Sequence, residues 1–195
     1  LLSMPASLGL ILASNEIVSG LFGYGSFTEK DVEITSKALM FFGYGIIAFA
    51  LIKILANFFF ARDNTKTPFY ISSFIVFLNL IISVGFFSSI GFLIIPIATS
   101  ISTWIGVLVY LYLLNKSNFL LLQVKLVHSL AKIIASSILM SLVLIFLLRY
   151  FSYYLDYFYA YKSFYLLIIV GFVAAVYLLS CYLLGVLRFK NYKTN

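Results

Sequence analysis

The chain has 195 residues, 64% of them hydrophobic and only 10% charged, with a net charge of +7. Soluble domains are about half apolar and about a quarter charged, so a water-soluble globule is excluded, because most of its apolar surface would stay uncovered. The apolar runs are long and do not alternate, which excludes membrane barrel strands and leaves helices, whose backbone hydrogen bonds are satisfied internally.

A hydrocarbon core of about 30 Å takes about 20 apolar residues as helix. Six stretches qualify: Met4–Phe22, Ala38–Ala61, Phe69–Phe87, Gly91–Leu114, Leu130–Arg149 and Phe164–Leu187. The expected fold class is all-α, a polytopic transmembrane bundle of about six spans. Residues 1–114 carry the first four helices, 115–129 an amphipathic cytoplasmic linker, and 130–195 a last hairpin with a cytoplasmic tail. The chain opens on Leu1-Leu2-Ser3 rather than methionine, which points to the C-terminal part of a longer protein.

The first span holds Asn15 and Glu16 within two turns of its second end. Glu16 is placed to face a cavity, to pair with Lys53, or to sit near the headgroups, and a structural role is slightly favoured. The second span contains the costliest residue, Lys53, between Ile52 and Ile54. A lysine near the centre of a membrane helix costs about 2.5–3.5 kcal/mol on insertion scales, so it usually faces a wet cavity or a partner. Snorkelling competes with that reading, since Lys53 lies about 12 Å of helix rise from the nearer interface. The cavity reading is preferred.

Arg62-Asp63-Asn64-Thr65-Lys66-Thr67-Pro68 joins spans two and three. Pro68 suits the first turn of the next helix, Thr67 can cap it, and Asp63 can hold Arg62 or Lys66. A structural turn explains most of this segment, while Arg62 and Lys66 also suit a phosphate. Asn79 and Ser83 lie one turn apart in span three, and Thr99, Ser100, Ser102 and Thr103 follow Pro96 in span four. Such groups join neighbouring helices or supply oxygen ligands to a small cation. Without an intramembrane carboxylate the first role is the better one. Pro96 is expected to kink or loosen its helix.

The segment 119–132 is amphipathic, with Leu122, Leu126 and Leu130 on one stripe and Gln123, Lys125 and His128 elsewhere. It is expected along the inner membrane surface, or as a solvated linker. Tyr153, Tyr154, Tyr157, Phe158, Tyr159, Tyr161 and Tyr165 crowd the connection before span six, where amphipathic rings favour the headgroup level. Cys181 stands alone inside an apolar run and reads as packing, and neither it nor His128 has metal-ligand spacing around it.

Orientation follows from lysine and arginine placement. The connections after spans two and four, with the tail, carry Arg62, Lys66, Lys116, Lys125, Lys132, Arg188, Lys190 and Lys193 against Asp63 alone. The other side carries Lys30, Lys37, Arg149 and Lys162, balanced by Glu29, Asp31, Glu33 and Asp156. Both chain ends are therefore expected in the cytoplasm. This distribution favours membrane topology over nucleic-acid binding as the meaning of the positive charge. There is no paired carboxylate site, nucleophile elbow, phosphate-binding glycine loop or metal motif, so an enzyme is not expected.

Several stretches carry a resemblance. Pro5-Ala6-Ser7-Leu8-Gly9-Leu10, then Leu21-Phe22-Gly23-Tyr24-Gly25-Ser26-Phe27 with Asp31 and Thr35, resemble the MviN/MurJ lipid II flippases. So do Ala38-Leu39, Lys53-Ile54-Leu55, and Phe59-Phe60-Ala61 running into the Arg62–Pro68 turn. Ala98-Thr99-Ser100 with Trp104 is similar to the family's next polar helix. The likeness is strong over roughly the first 110 residues and rests on hydropathy beyond them.

The resemblance implies a fourteen-helix exporter of the multidrug/oligosaccharidyl-lipid/polysaccharide superfamily, with two lobes around a cationic cavity. These six spans would be helices nine to fourteen, the first four belonging to the C-terminal lobe, in a bacterial inner membrane. The implied substrate is the undecaprenyl-pyrophosphate-linked peptidoglycan precursor, moved from inner to outer leaflet by alternating access. Its lipid tail would lie in a groove formed partly by the last two helices. Lys53 would serve the cavity, with Arg62 and Lys66 at its inner mouth, and no cofactor is implied. Membrane potential or a sodium ion would drive transport. Asn79 and Thr99 match two sodium ligands of some members, although Ser83 stands where those members have a carboxylate. Glu16 stands where relatives often have proline, and no role is carried to it. The implied partners are the lipid-linked precursor, membrane lipids and the preceding helices, and no nucleic acid. Another polyprenyl-linked glycan exporter, or a non-transporting scaffold, are the alternatives.

Overall fold

A computed structural model describes residues 1–116 and 124–186, and every regular element among them is helical. The tail with Arg188, Lys190 and Lys193, and the part of 119–132 before Val124, lie outside the described residues.

The first expected span is broken. Helix α1 (Ser3–Leu12) and helix α2 (Ser14–Phe22) meet at 77°. Ala13 leaves helical geometry at the joint (φ −113°, ψ 21°), yet its amide still donates to the Gly9 carbonyl and its carbonyl accepts from Ile17. Ala13 packs in an apolar cluster with Met140 and Leu144. A straight helix would carry Asn15 and Glu16 on through apolar packing, whereas the bend delivers them to a polar cavity.

Helix α3 (Glu29–Phe60) starts from a capping box. The Asp31 amide donates to the Thr28 hydroxyl at 3.3 Å, and the Thr28 amide donates to the Asp31 carboxylate at 2.9 Å. Small residues let α3 approach its neighbours closely. The Ser7 hydroxyl donates to the Gly43 carbonyl at 2.8 Å, fixing α1. On another face, the Ser100 hydroxyl donates to the Phe41 carbonyl at 2.6 Å, and a Cβ at Gly45 would stand 2.8 Å from that hydroxyl. Gly45→Val is therefore expected to destabilise the bundle by roughly 1–3 kcal/mol through overpacking. Adding Ser100→Ala should recover part of that loss in thermal unfolding; full additivity of the two substitutions would contradict the contact.

After α3, Asp63 takes a left-handed conformation (φ +55°). The cap of the next helix comes from Asn64 and not from Thr67: the Thr67 amide donates to Asn64 Oδ1 at 3.1 Å, and Asn64 Nδ2 donates to the Thr67 hydroxyl at 3.0 Å. An Asx side chain reaches an orphan amide from outside the helix, while Thr67 is already inside it. Helix α4 (Lys66–Ile90) has Pro68 in its first turn, as expected.

A continuous helical run from Lys66 to Lys116 conceals two spans. Gly91 at φ +70° reverses the chain through a short 3-10 turn into helix α5 (Ile94–Lys116). Asn79 and Thr99 then meet side by side across the hairpin. The kink expected at Pro96 does not form. Pro96 stands in the first turn of α5, where its missing N–H has no intrahelical partner to lose.

Helix α6 (Val124–Tyr150) begins earlier than the expected fifth span, so residues 124–132 are its first turns. A short turn over Ser152–Leu155 leads to helix α7 (Lys162–Leu183). Two apolar cores result. One joins α3, α4 and α5 through Ala48, Leu55, Phe59, Ile71, Val107 and Tyr110. The other joins the α1–α2 joint to α6 and α7 through Met140, Leu144, Leu166, Val173, Tyr177 and Cys181. Large apolar side chains such as Val84 and Leu167 stay over 70% exposed, as lipid-facing residues do.

Candidate functional site

Lys53 lies on α3 on a face that also carries the exposed Phe49, Asn57 and Phe60. Its neighbour Ile52 packs inward with Ile75 and Val107, which turns Lys53 away from that core. No ion pair or hydrogen bond holds its ammonium among the described residues, so Glu16 is not its partner. Arg62 follows about 13 Å of helix rise further on and donates to the Phe58 carbonyl at 2.9 Å. Lys66 opens α4 and is exposed. The three cations thus sit on α3, in the turn after it and at the start of α4.

Asn79 and Thr99 do meet. Asn79 Nδ2 donates to the Thr99 hydroxyl at 2.9 Å, that hydroxyl donates to the Ile95 carbonyl at 2.8 Å, and the Ser83 hydroxyl donates to Asn79 Oδ1 at 3.3 Å. They line a cavity of about 540 Å³ with Phe49, Ile75, Ser102 and Thr103, and no carboxylate is among its lining residues. Their polar atoms are committed to one another and to backbone, which is how small polar groups join membrane helices.

Two further cavities lie elsewhere among the described residues. An apolar groove of about 370 Å³ runs between α1, α6 and α7, lined by Gly9, Leu10, Met140, Leu144, Val173 and Tyr177 among others. Its one hydroxyl, on Tyr177, is occupied by donation to the Leu1 carbonyl at 2.7 Å. A polar cavity of about 600 Å³ opens between α2, the first turns of α3 and the α6–α7 connection.

Lys162, one of the charges counted in the tally, is buried. It is 1% exposed, and its ammonium donates to the Gly23 carbonyl at 2.7 Å and the Tyr157 carbonyl at 2.6 Å. The rings of Tyr24 and Tyr157 stand over it at 4.5 and 4.4 Å. Beside it, the Ser163 hydroxyl donates to the Gly20 carbonyl, and the Tyr157 hydroxyl to the Phe27 carbonyl, each at 2.5 Å. This latch ties the last hairpin to the α2–α3 connection. A lysine among tyrosines was visible in the sequence, but its carbonyl partner at Gly23, 139 positions away, was not.

Against known proteins, residues 1–169 match the family described as Lipid II flippase MurJ. A probable lipid II flippase of Rickettsia prowazekii (strain Madrid E) is 33% identical over 200 aligned positions, covering 98% of this chain and 38% of that protein. One from Vibrio cholerae serotype O1 is 29% identical, covering 98% and 36%. A solved lipid II flippase in an inward closed conformation superposes with a TM-score of 0.70 at 28% identity, over 93% of this chain and 35% of that one. The chain thus spans less than two-fifths of the length of these relatives.

Proposed function

Because the chain belongs to the MurJ family of lipid II flippases, a family of multi-pass transporters of the bacterial inner membrane, we propose that it forms the C-terminal part of a lipid II flippase. In this reading it helps move the undecaprenyl-pyrophosphate-linked peptidoglycan precursor from the inner to the outer leaflet. The observation that carries the proposal is the superposition of nearly the whole chain on a solved flippase.

The chemistry of such a substrate supports it. A long isoprenoid tail wants an apolar groove beside the lipid, and the groove between α1, α6 and α7 is lined almost wholly by apolar side chains. A pyrophosphate wants unpaired cations, and Lys53 is exposed with no partner among the described residues. Lys66 adds a second exposed cation at the start of α4. Both chain ends lie in the cytoplasm in this proposal, by the lysine and arginine asymmetry of the connections. Asn79 and Thr99 act as a joint between α4 and α5.

Expressed from its complete reading frame, the protein should sustain growth of a bacterium depleted of its lipid II flippase. Lipid II in that strain should become accessible to a probe confined to the outer leaflet. Retention of lipid II in the inner leaflet, with the protein present at normal level, overturns the proposal.

A further inference from the structure

We propose that the polar cavity between α2, α3 and the α6–α7 connection binds an organic cation carrying two or more separated ammonium groups. Its lining includes four carboxylates, Glu16, Glu29, Glu33 and Asp156, against one ammonium, Lys30. Glu33 is itself paired with Lys37 at 2.6 Å, which leaves three carboxylates against Lys30, a net excess of two negative charges. An anion is excluded by this balance.

The cavity's size and spacing narrow the class of cation. At about 600 Å³ it is far larger than one bare ion needs and falls in the range of small-molecule sites. The carboxylates come from α2, the first turns of α3 and the connection after Leu155. Among the described residues no three acidic, histidine or cysteine groups lie together closely enough to hold a metal ion. Separated charges of one sign in one cavity match separated charges of the other sign on one flexible molecule.

Ser19 points independently to a ligand. It lines the same cavity and is only 4% exposed, and its hydroxyl has no hydrogen-bond partner. Buried hydroxyls are nearly always paired, and an unpaired one costs roughly 1–3 kcal/mol. An ammonium donor reaching past Glu16 would satisfy it. The break at Ala13 is what makes the site, because it turns Asn15 and Glu16 into the cavity.

Spermidine is the probe, titrated by calorimetry at low ionic strength into the full-length protein in phosphatidylcholine nanodiscs, with empty nanodiscs subtracted. Saturable one-to-one binding is expected. Glu16→Gln and Asp156→Asn should each weaken it, together by at least about tenfold. Ser19→Ala should weaken it while leaving the charge unchanged, and Asp63→Asn, distant from the cavity, should leave it intact. Asp156 is exposed, so its variant keeps the test valid if Glu16→Gln fails to fold. Absence of saturable binding, or binding unchanged in the Glu16 and Asp156 variants, overturns the proposal. Magnesium displacing spermidine at equal concentration, with the same dependence on Glu16, overturns the organic class. None of these readouts depends on lipid transport.

Discussion

Lys53→Ala in the full-length protein is expected to abolish growth wherever that protein is the sole lipid II flippase, with its level in the membrane unchanged. In the proposed reading Lys53 pairs with the substrate's pyrophosphate, and truncating one member of such a pair, once desolvated, costs roughly 2–5 kcal/mol, or about thirtyfold and more in binding. Lys53→Met separates the charge from the aliphatic stem, which can cover apolar surface on its own. The methionine variant should also fail, while Lys53→Arg should retain part of the function. The sign of the stability change adds a second reading. An unpaired lysine in a membrane helix costs about 2.5–3.5 kcal/mol to insert, so Lys53→Met should leave the fold as stable or more so while function is lost. Normal growth of the methionine variant would remove Lys53 from the mechanism.

The second large effect concerns Lys162. Lys162→Met deletes two charge-assisted hydrogen bonds and a cation between two rings. It also strips the Gly23 and Tyr157 carbonyls of this donor. Bonds to charged groups contribute roughly 1.5–3 kcal/mol each, so a loss of about 3–6 kcal/mol is expected for the two. It should appear as a lower midpoint of detergent-induced unfolding and faster proteolysis of the α6–α7 connection. Gly23→Ala should act in the same direction, because a Cβ there would stand 2.6 Å from the Ser19 carbonyl oxygen and 3.0 Å from the Lys162 ammonium. An unchanged midpoint in both variants would mean that the latch holds nothing.

The spans were legible because hydropathy over about 20 residues is a direct measure of the cost of leaving water. The same averaging hid the break at Ala13: flanking leucines outweigh Ser14, Asn15 and Glu16 in any window that long. Pro96 was misread because its effect depends on its place in the helix, and a shift of a few residues in the start of α5 turns a breaker into a normal first-turn residue. Of the site residues, Lys53 stood out as an energetic anomaly on its own helix. The Lys162 cage and the Glu16–Ser19–Asp156 cavity did not, since each assembles groups more than 130 positions apart. Polar side chains at Asn79 and Thr99 were visible, and only their mutual bond decides that they join α4 to α5.

The length of α3 has a consequence for where the polar cavity sits. Thirty-two helical residues reach about 48 Å, some 18 Å more than the hydrocarbon thickness. A helix with such hydrophobic mismatch either tilts or projects. The first nine residues of α3 carry Glu29, Lys30, Asp31, Glu33 and Lys37, which tilting would drag into lipid. Projection is therefore the cheaper course, and it would stand the start of α3 outside the bilayer as a post. The cavity built against its first turns would then open into the aqueous phase, where a charged solute arrives without crossing or parting the acyl chains.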